Sequence, residues 1–179
     1  MIYIHTALKS EAQAIVDKYK LIKNKINKFT IFTNENIVLI ISGIGVSNAK
    51  EATNKLMNYF NINENDIILN IGICAADDIY KVGELIEISS ISYYNKTIQV
   101  NEFNKKHIVC LDTQCANNKY EIVDMESYGF CEAAKNLKNI RIYKVVSDNF
   151  EPNIVTKINT KILIFDVIED IIKNTLENQ

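Results

Sequence analysis

The chain alternates short apolar runs with stretches in which apolar residues recur every three or four positions. Residues 2–7 (I-Y-I-H-T-A) are short and β-branched and predict a first strand. Ser10 is placed to cap a helix carrying Ala12, Ile15, Val16 and Tyr19 on one face, with Glu11 in its first turn. An acid there complements the helix dipole, a role that needs no ligand. Residues 28–33 and 36–42 predict two strands joined by a tight turn at Asn34-Glu35. The second contains I-V-L-I-I, apolar without alternation, as in a strand covered on both faces. It runs into Ser42-Gly43-Ile44-Gly45-Val46-Ser47-Asn48-Ala49, ahead of a helix reaching residue 60. A glycine turn between a strand and a helix N-terminus presents backbone N–H groups to a polar ligand.

Residues 66–72 predict another buried strand, continuing into the small residues Cys74, Ala75 and Ala76, and a turn at residues 81–84 leads to a strand over 85–92. Two short strands are expected at 97–100 and 107–111. The stretch 121–149 predicts a strand ending in the acidic turn Asp124-Met125-Glu126, a helix, and a second strand over 140–146 that ends in Ser147-Asp148. A final helix over 155–176 carries Ile158, Ile162, Phe165, Ile168 and Ile172 at helical spacing, with Glu169 among them. This order predicts one α/β domain spanning residues 1–179, a three-layer α/β/α arrangement with a central mixed β-sheet. Ligand-handling groups in such sheets collect past the carboxyl ends of strands. Glu126 and Asp148 are therefore expected to face one crevice.

Composition narrows the function classes. Apolar residues make up 47% of the 179 and charged residues 23%, the balance of a soluble globular domain. The net charge is −2 with lysines dispersed, so no basic face for nucleic acid is expected. No apolar stretch is long enough to span a membrane, the first residues lack a signal-peptide pattern, and a cytoplasmic location is the expectation. Cys74, Cys110, Cys115 and Cys131 show no metal-ligand spacing, and neither metal nor cofactor is expected. The Gly43/Gly45 pair has Asn48 where a dinucleotide fingerprint needs its third glycine, so an oxidoreductase reading is weak.

Six segments in order carry a more specific signal: T-A-L-K-S-E-A (6–12), S-G-I-G-V-S-N-A (42–49), N-I-G-I-C-A-A (70–76), K-V-G-E-L (81–85), V-D-M-E-S (123–127) and V-V-S-D (145–148). With them the chain resembles the nucleoside phosphorylase/nucleosidase superfamily, and within it the methylthioadenosine/S-adenosylhomocysteine nucleosidase branch. The resemblance implies a phosphorylase/hydrolase-like fold and a small-molecule nucleoside substrate, with a homodimer closing the site. It implies that Asp148 protonates N7 of a purine leaving group, that Glu126 holds the ribose hydroxyls with Met125 against the sugar, and that Glu11 activates the attacking water. Cys115, just after Asp112-Thr113-Gln114, falls where backbone groups read the purine edge. Ser42, Gly43, Cys74, Lys144 and Ser147 complete the expected substrate-binding set. The chemistry agrees, because cleaving an N-ribosidic bond passes through an oxocarbenium-like sugar and expels a poor leaving group. One acid at the base and one carboxylate at the water address those two difficulties.

The chain also departs from the family pattern. Arg141 is its only arginine, and Ile73 stands where relatives carry Ser or Thr, which removes groups a phosphate would need. Lys144 replaces an arginine; on a regular strand it shares a face with Asp148 and is expected to approach Glu11 or a bound anion. Gln114 replaces a stacking aromatic, and the region between residues 92 and 123 is short. The expected activity is an N-ribosyl hydrolase acting on a purine nucleoside or thionucleoside. The alternatives are a purine nucleoside phosphorylase and a non-catalytic nucleoside-binding relative.

Overall fold

The computed structural model describes residues 1–102 and 106–177 and places every strand in one mixed sheet. Four strands run parallel at its centre: β1 (Ile2–Thr6), β4 (Ile37–Ile41), β5 (Ile67–Ala76) and β11 (Asn139–Asp148). β1 lies between β4 and β5, and β5 lies between β1 and β11. These strands are covered on both faces, which is why β4 reads I-V-L-I-I, apolar without alternation. Helices α1 (Lys9–Tyr19) and α4 (Lys157–Glu177) cover one face through Ile4, Leu39, Leu69, Ile71 and Val145. Helices α2 (Val46–Phe60) and α3 (Ser127–Ala134) cover the other through Tyr3, Ile40, Ile68, Ile142 and Val146. The three-layer α/β/α expectation holds.

Several local readings are corrected. The residue before α1 is Leu8, not Ser10, which lies inside the first turn. Strand β2 (Ile22–Ile26) was not expected. Its sequence I-K-N-K-I is mostly exposed, and it forms the lysine-bearing outer edge of the sheet, paired among the described residues only with β3 (Phe29–Thr33). The strand expected over 85–92 is two strands, β6 (Leu85–Ile88) and β7 (Ser90–Tyr93), divided at the buried Ser89. The Ser89 hydroxyl and both amides of Ser89 and Ser90 donate to the Lys106 carbonyl, which turns the chain from β11 towards β8 (Lys96–Gln99) and β9 (His107–Cys110). In α4 the buried side chains are Thr160, Ile164, Ile168, Ile171 and Thr175, whereas Ile158, Ile162 and Phe165 are exposed. The face chosen from periodicity is therefore rotated: Thr160 and Thr175 hide their hydroxyls on carbonyls one turn back and can pack as apolar groups. Among the described residues no helix is long and apolar enough to cross a membrane.

The feature that makes the site is a mismatch of strand lengths around β5. Its pairing with β1 ends at Asn70, and β10 (Ile122–Asp124) takes up that side only at Ala75 and Ala76, running antiparallel. In the interval, residues 71–74 have no strand on that side among the described residues. The parallel carboxyl ends of β1, β4, β5 and β11 therefore point the same way, but the acidic turn arrives from an antiparallel strand of three residues. It reaches the same place because β10 is short and pairs with the overhanging tip of β5.

Candidate active site

Ala75 has Val123 as its partner on one side and Asp148 on the other, so the ends of β10 and β11 flank the tip of β5. A cavity opens there, lined among others by Glu11, Asp124, Met125, Glu126, Ser147 and Asp148. Cys74 and Cys115 also line it, together with Ile44, Ile73, Thr113 and Gln114. Of the sequence-derived candidates, Ser42, Gly43 and Lys144 are not in its wall. Ser42 donates through N–H to Thr6 and Gly43 to Ala7, both backbone carbonyls, and the Ser42 hydroxyl contacts the Gly43 and Thr6 carbonyls.

Glu11 enters through the unpaired interval of β5. Its Oε1 accepts from the Ile73 N–H (3.0 Å), and Oε2 accepts from the N–H groups of Ala7 (3.0 Å) and Leu8 (2.8 Å). Thus the acid that reads in sequence as a helix-dipole residue also substitutes for a missing β-strand. The side chain is 2% exposed, and burial raises its pKa against the opposing pull of those N–H groups and Lys144. Gly72 makes this approach possible. A Cβ there would lie 3.0 Å from Glu11 Oε1 and 3.4 Å from Lys144 Nζ. Gly72→Ala is expected to displace the carboxylate by a few tenths of an ångström and to lower kcat by roughly tenfold or more, with little change in KM, since misplacement near 1 Å costs about a hundredfold. Steady-state kinetics on the variant reads this.

Glu126 precedes α3, and its Oε1 accepts from the Gly45 N–H at 2.9 Å. Gly45 has φ +103°, a conformation that L side chains rarely adopt, and this aims its N–H across the loop at the acid. The glycine turn thus contributes to the site by holding a protein carboxylate. Burial first, and the neighbouring Asp124 second, push the Glu126 carboxyl up to about 7, against Lys144 and the Gly45 N–H. Only the ionised form is a pure acceptor for ligand hydroxyls. Affinity for a ribose-bearing ligand is therefore expected to fall as pH drops through 7, approaching about tenfold per pH unit below it. Calorimetric titration across that range, with Glu126→Gln as the flat control, measures it.

Lys144 points to the α2/α3 side and is 1% exposed. Its Nζ lies 2.8 Å from Asp124 Oδ2, which is equally buried. Asp124 also accepts from the Ser127 N–H (2.9 Å) and hydroxyl (2.6 Å), anchoring the first turn of α3. Burial opposes both charges, yet the Lys144 pKa is raised because Asp124, Glu126 and Glu11 outweigh it, and the Asp124 pKa is lowered by Lys144 and Ser127. Lys144 does approach Glu11, sharing the space over Gly72, but its ion-pair partner is Asp124. Sequence reasoning placed Asp124 in the acidic turn without giving it a role. The period-two argument that aligned Lys144 with Asp148 fails for a local reason: β11 has a bulge between Val146 and Asp148.

Asp148 is 3% exposed, and its Oδ1 accepts from the Glu151 N–H at 2.9 Å. Its Oδ2 lies 2.8 Å from the Ser147 hydroxyl, which is also 3.0 Å from the Cys74 carbonyl. The Ser147 hydroxyl is thus the donor facing both the Asp148 carboxylate and the Cys74 carbonyl, and it ties the acid to the tip of β5. Cys74, Cys110 and Cys131 are buried free thiols, with pKa values raised by burial, and Cys115 is partly exposed. Arg141 pairs with Glu87 and contacts the Tyr143 hydroxyl, outside the cavity. Among the described residues no group of three or more His, Cys, Asp or Glu side chains is placed to hold a metal.

No protein-family model matches the chain, and no characterised protein matches it in sequence. Solved structures do match it in fold. A methylthioadenosine/S-adenosylhomocysteine nucleosidase from Helicobacter pylori, bound to butyl-thio-DADMe-Immucillin-A, superposes with a TM-score of 0.81 at 12% identity, covering 99% of this chain and 98% of that one. Futalosine hydrolase of the same species gives 0.82 at 13% identity, covering 99% and 97%. The nucleosidase from Neisseria meningitidis, in complex with methylthio-immucillin-A, gives 0.74 at 15% identity, covering 94% and 98%. The chain has the fold that these nucleosidases and futalosine hydrolase share.

Proposed function

We propose that the protein is an N-ribosyl hydrolase cleaving the glycosidic bond of a purine nucleoside or thionucleoside. The observation that carries this reading is the meeting of Glu11, Glu126 and Asp148, from three distant parts of the chain, in the wall of one cavity. Each is held in a way that suits a different task. Asp148, backed by Ser147 and Cys74, is the acid that protonates the departing base. Glu126, steadied by Gly45 through one oxygen, accepts from the ribose hydroxyls, and Met125 lies against the sugar. Glu11, oriented by three backbone N–H groups and made more basic by burial, takes the proton of the attacking water. Cys115 and its neighbours border the base.

The charge around the cavity favours water over phosphate as the acceptor. Among the described residues, its charged lining is Glu11, Asp124, Glu126 and Asp148, with no lysine or arginine. Lys144, the buried cation nearest to them, is engaged by Asp124. A phosphate dianion would meet like charge without a compensating donor.

Release of free base from methylthioadenosine, adenosylhomocysteine, adenosine and inosine, with and without phosphate, tests the reading. Release without phosphate supports it, and strict phosphate dependence overturns it in favour of a phosphorylase. Binding without turnover throughout identifies a non-catalytic nucleoside-binding protein. The reading includes a cytoplasmic homodimer, and sedimentation showing a fully active monomer overturns a pocket shared between subunits.

A further inference from the structure

A second cavity adjoins the first. It is about 510 Å³, against about 130 Å³ for the acid-lined one, and the two share Thr113, Gln114 and Cys115 as a common wall. Sites for small molecules typically run from about 300 to 1,000 Å³. The first cavity alone is small for a substituted nucleoside, whereas the pair is ample.

The chemistry of the second cavity is selective. Among the described residues lining it, Asp112 is the only charged one. Its two oxygens are fixed by separate donors, Tyr93 Oη to Oδ1 (2.8 Å) and Tyr94 Oη to Oδ2 (2.5 Å). A carboxylate offers about four acceptor sites, so two of Asp112 remain. The rings of Tyr93 and Tyr94 pack edge to face at 4.7 Å, and Tyr93 also rests on Tyr128 at 4.9 Å, which holds the pair beside the carboxylate. Tyr94 takes up this position at φ +52°, in the turn between β7 and β8. A fixed carboxylate flanked by two aromatic rings attracts an ammonium group through both charge and ring quadrupole, and repels a carboxylate.

We propose that the two cavities form one ligand site, and that the second receives an amine-bearing substituent of the nucleoside with Asp112 as its counter-ion. This rests on the nucleoside reading of the first cavity. The test is a calorimetric titration of the full chain with adenosine derivatives bearing an aminoalkyl chain on the base or at C5′, each beside its N-acetyl and carboxyalkyl counterparts. At one attachment point the amine is expected to bind roughly tenfold more tightly than its acetylated form, the size of one partly screened ion pair plus a ring contact. Asp112→Asn is expected to bring that ratio to about one, and Asp112→Lys to turn the preference towards the carboxyalkyl compound. No preference at either attachment point, or a preference that survives Asp112→Asn, overturns the inference. Base release from the unsubstituted nucleosides is read separately. Turnover without amine preference overturns this inference alone, amine preference without turnover overturns hydrolysis alone, and no binding by any compound overturns both.

Discussion

Lys144→Met is expected to destabilise the fold by about 3–5 kcal/mol, because it leaves the Asp124 carboxylate buried without its cation. For a chain of this size that corresponds to a fall in melting temperature of roughly 6–20 °C. Methionine keeps the unbranched chain as far as Cε, so the loss is chiefly that of the ammonium group rather than of packing. Asp124 cannot escape to water, since it is held at the start of α3 by the Ser127 amide and hydroxyl. The double variant Lys144→Met/Asp124→Asn is expected to recover most of the loss: it removes both charges and keeps an oxygen for Ser127. The lysine also lowers the pKa of Glu11 and of Glu126. Without it both carboxyls retain their protons to higher pH, so the acid limb of the activity profile is expected to move upwards. A single variant that melts within roughly 2 °C of the parent, less than about 1 kcal/mol for a chain of this size, would show that the pair does not hold this region together.

That pair also marks where sequence reasoning stopped. The central strands β1, β4, β5 and β11 were legible because each carries a short apolar, mostly β-branched run that is buried in the sheet. The α4 face was misread because threonines that bond to their own helix behave as apolar groups, and residue type alone does not reveal it. Glu11 and Asp148 were legible as acids beside predicted strand ends. What brings them together was not, because it depends on β1 leaving β5 at Asn70 and β10 joining only at Ala75. Strand register is a property of pairing and leaves little trace in a single strand's composition. The Asp124–Lys144 contact has the same origin: β10 and β11 flank β5, and a partnership across an intervening strand has no sequence spacing to give it away.

Asp148→Asn is expected to lower kcat for base release by about 10²- to 10⁴-fold, the range for loss of a positioned general acid. The amide keeps the shape of the carboxyl and an oxygen for the Glu151 N–H, so folding and KM should change little. The loss alone would not separate acid catalysis from a disturbed pocket, and the leaving group does. A riboside whose leaving group departs readily as an anion, such as a nitrophenolate, needs no proton, and its hydrolysis is expected to be nearly indifferent to the substitution. Glu11→Gln should slow both substrates alike, because each requires the same attack by water on the same sugar. Ser147→Ala is expected to fall between parent and Asp148→Asn on the purine nucleoside only, since the hydroxyl positions the acid without delivering the proton to the base. Equal losses for both leaving groups in Asp148→Asn would remove Asp148 from the role of acid, and the site would then have to expel its base unprotonated.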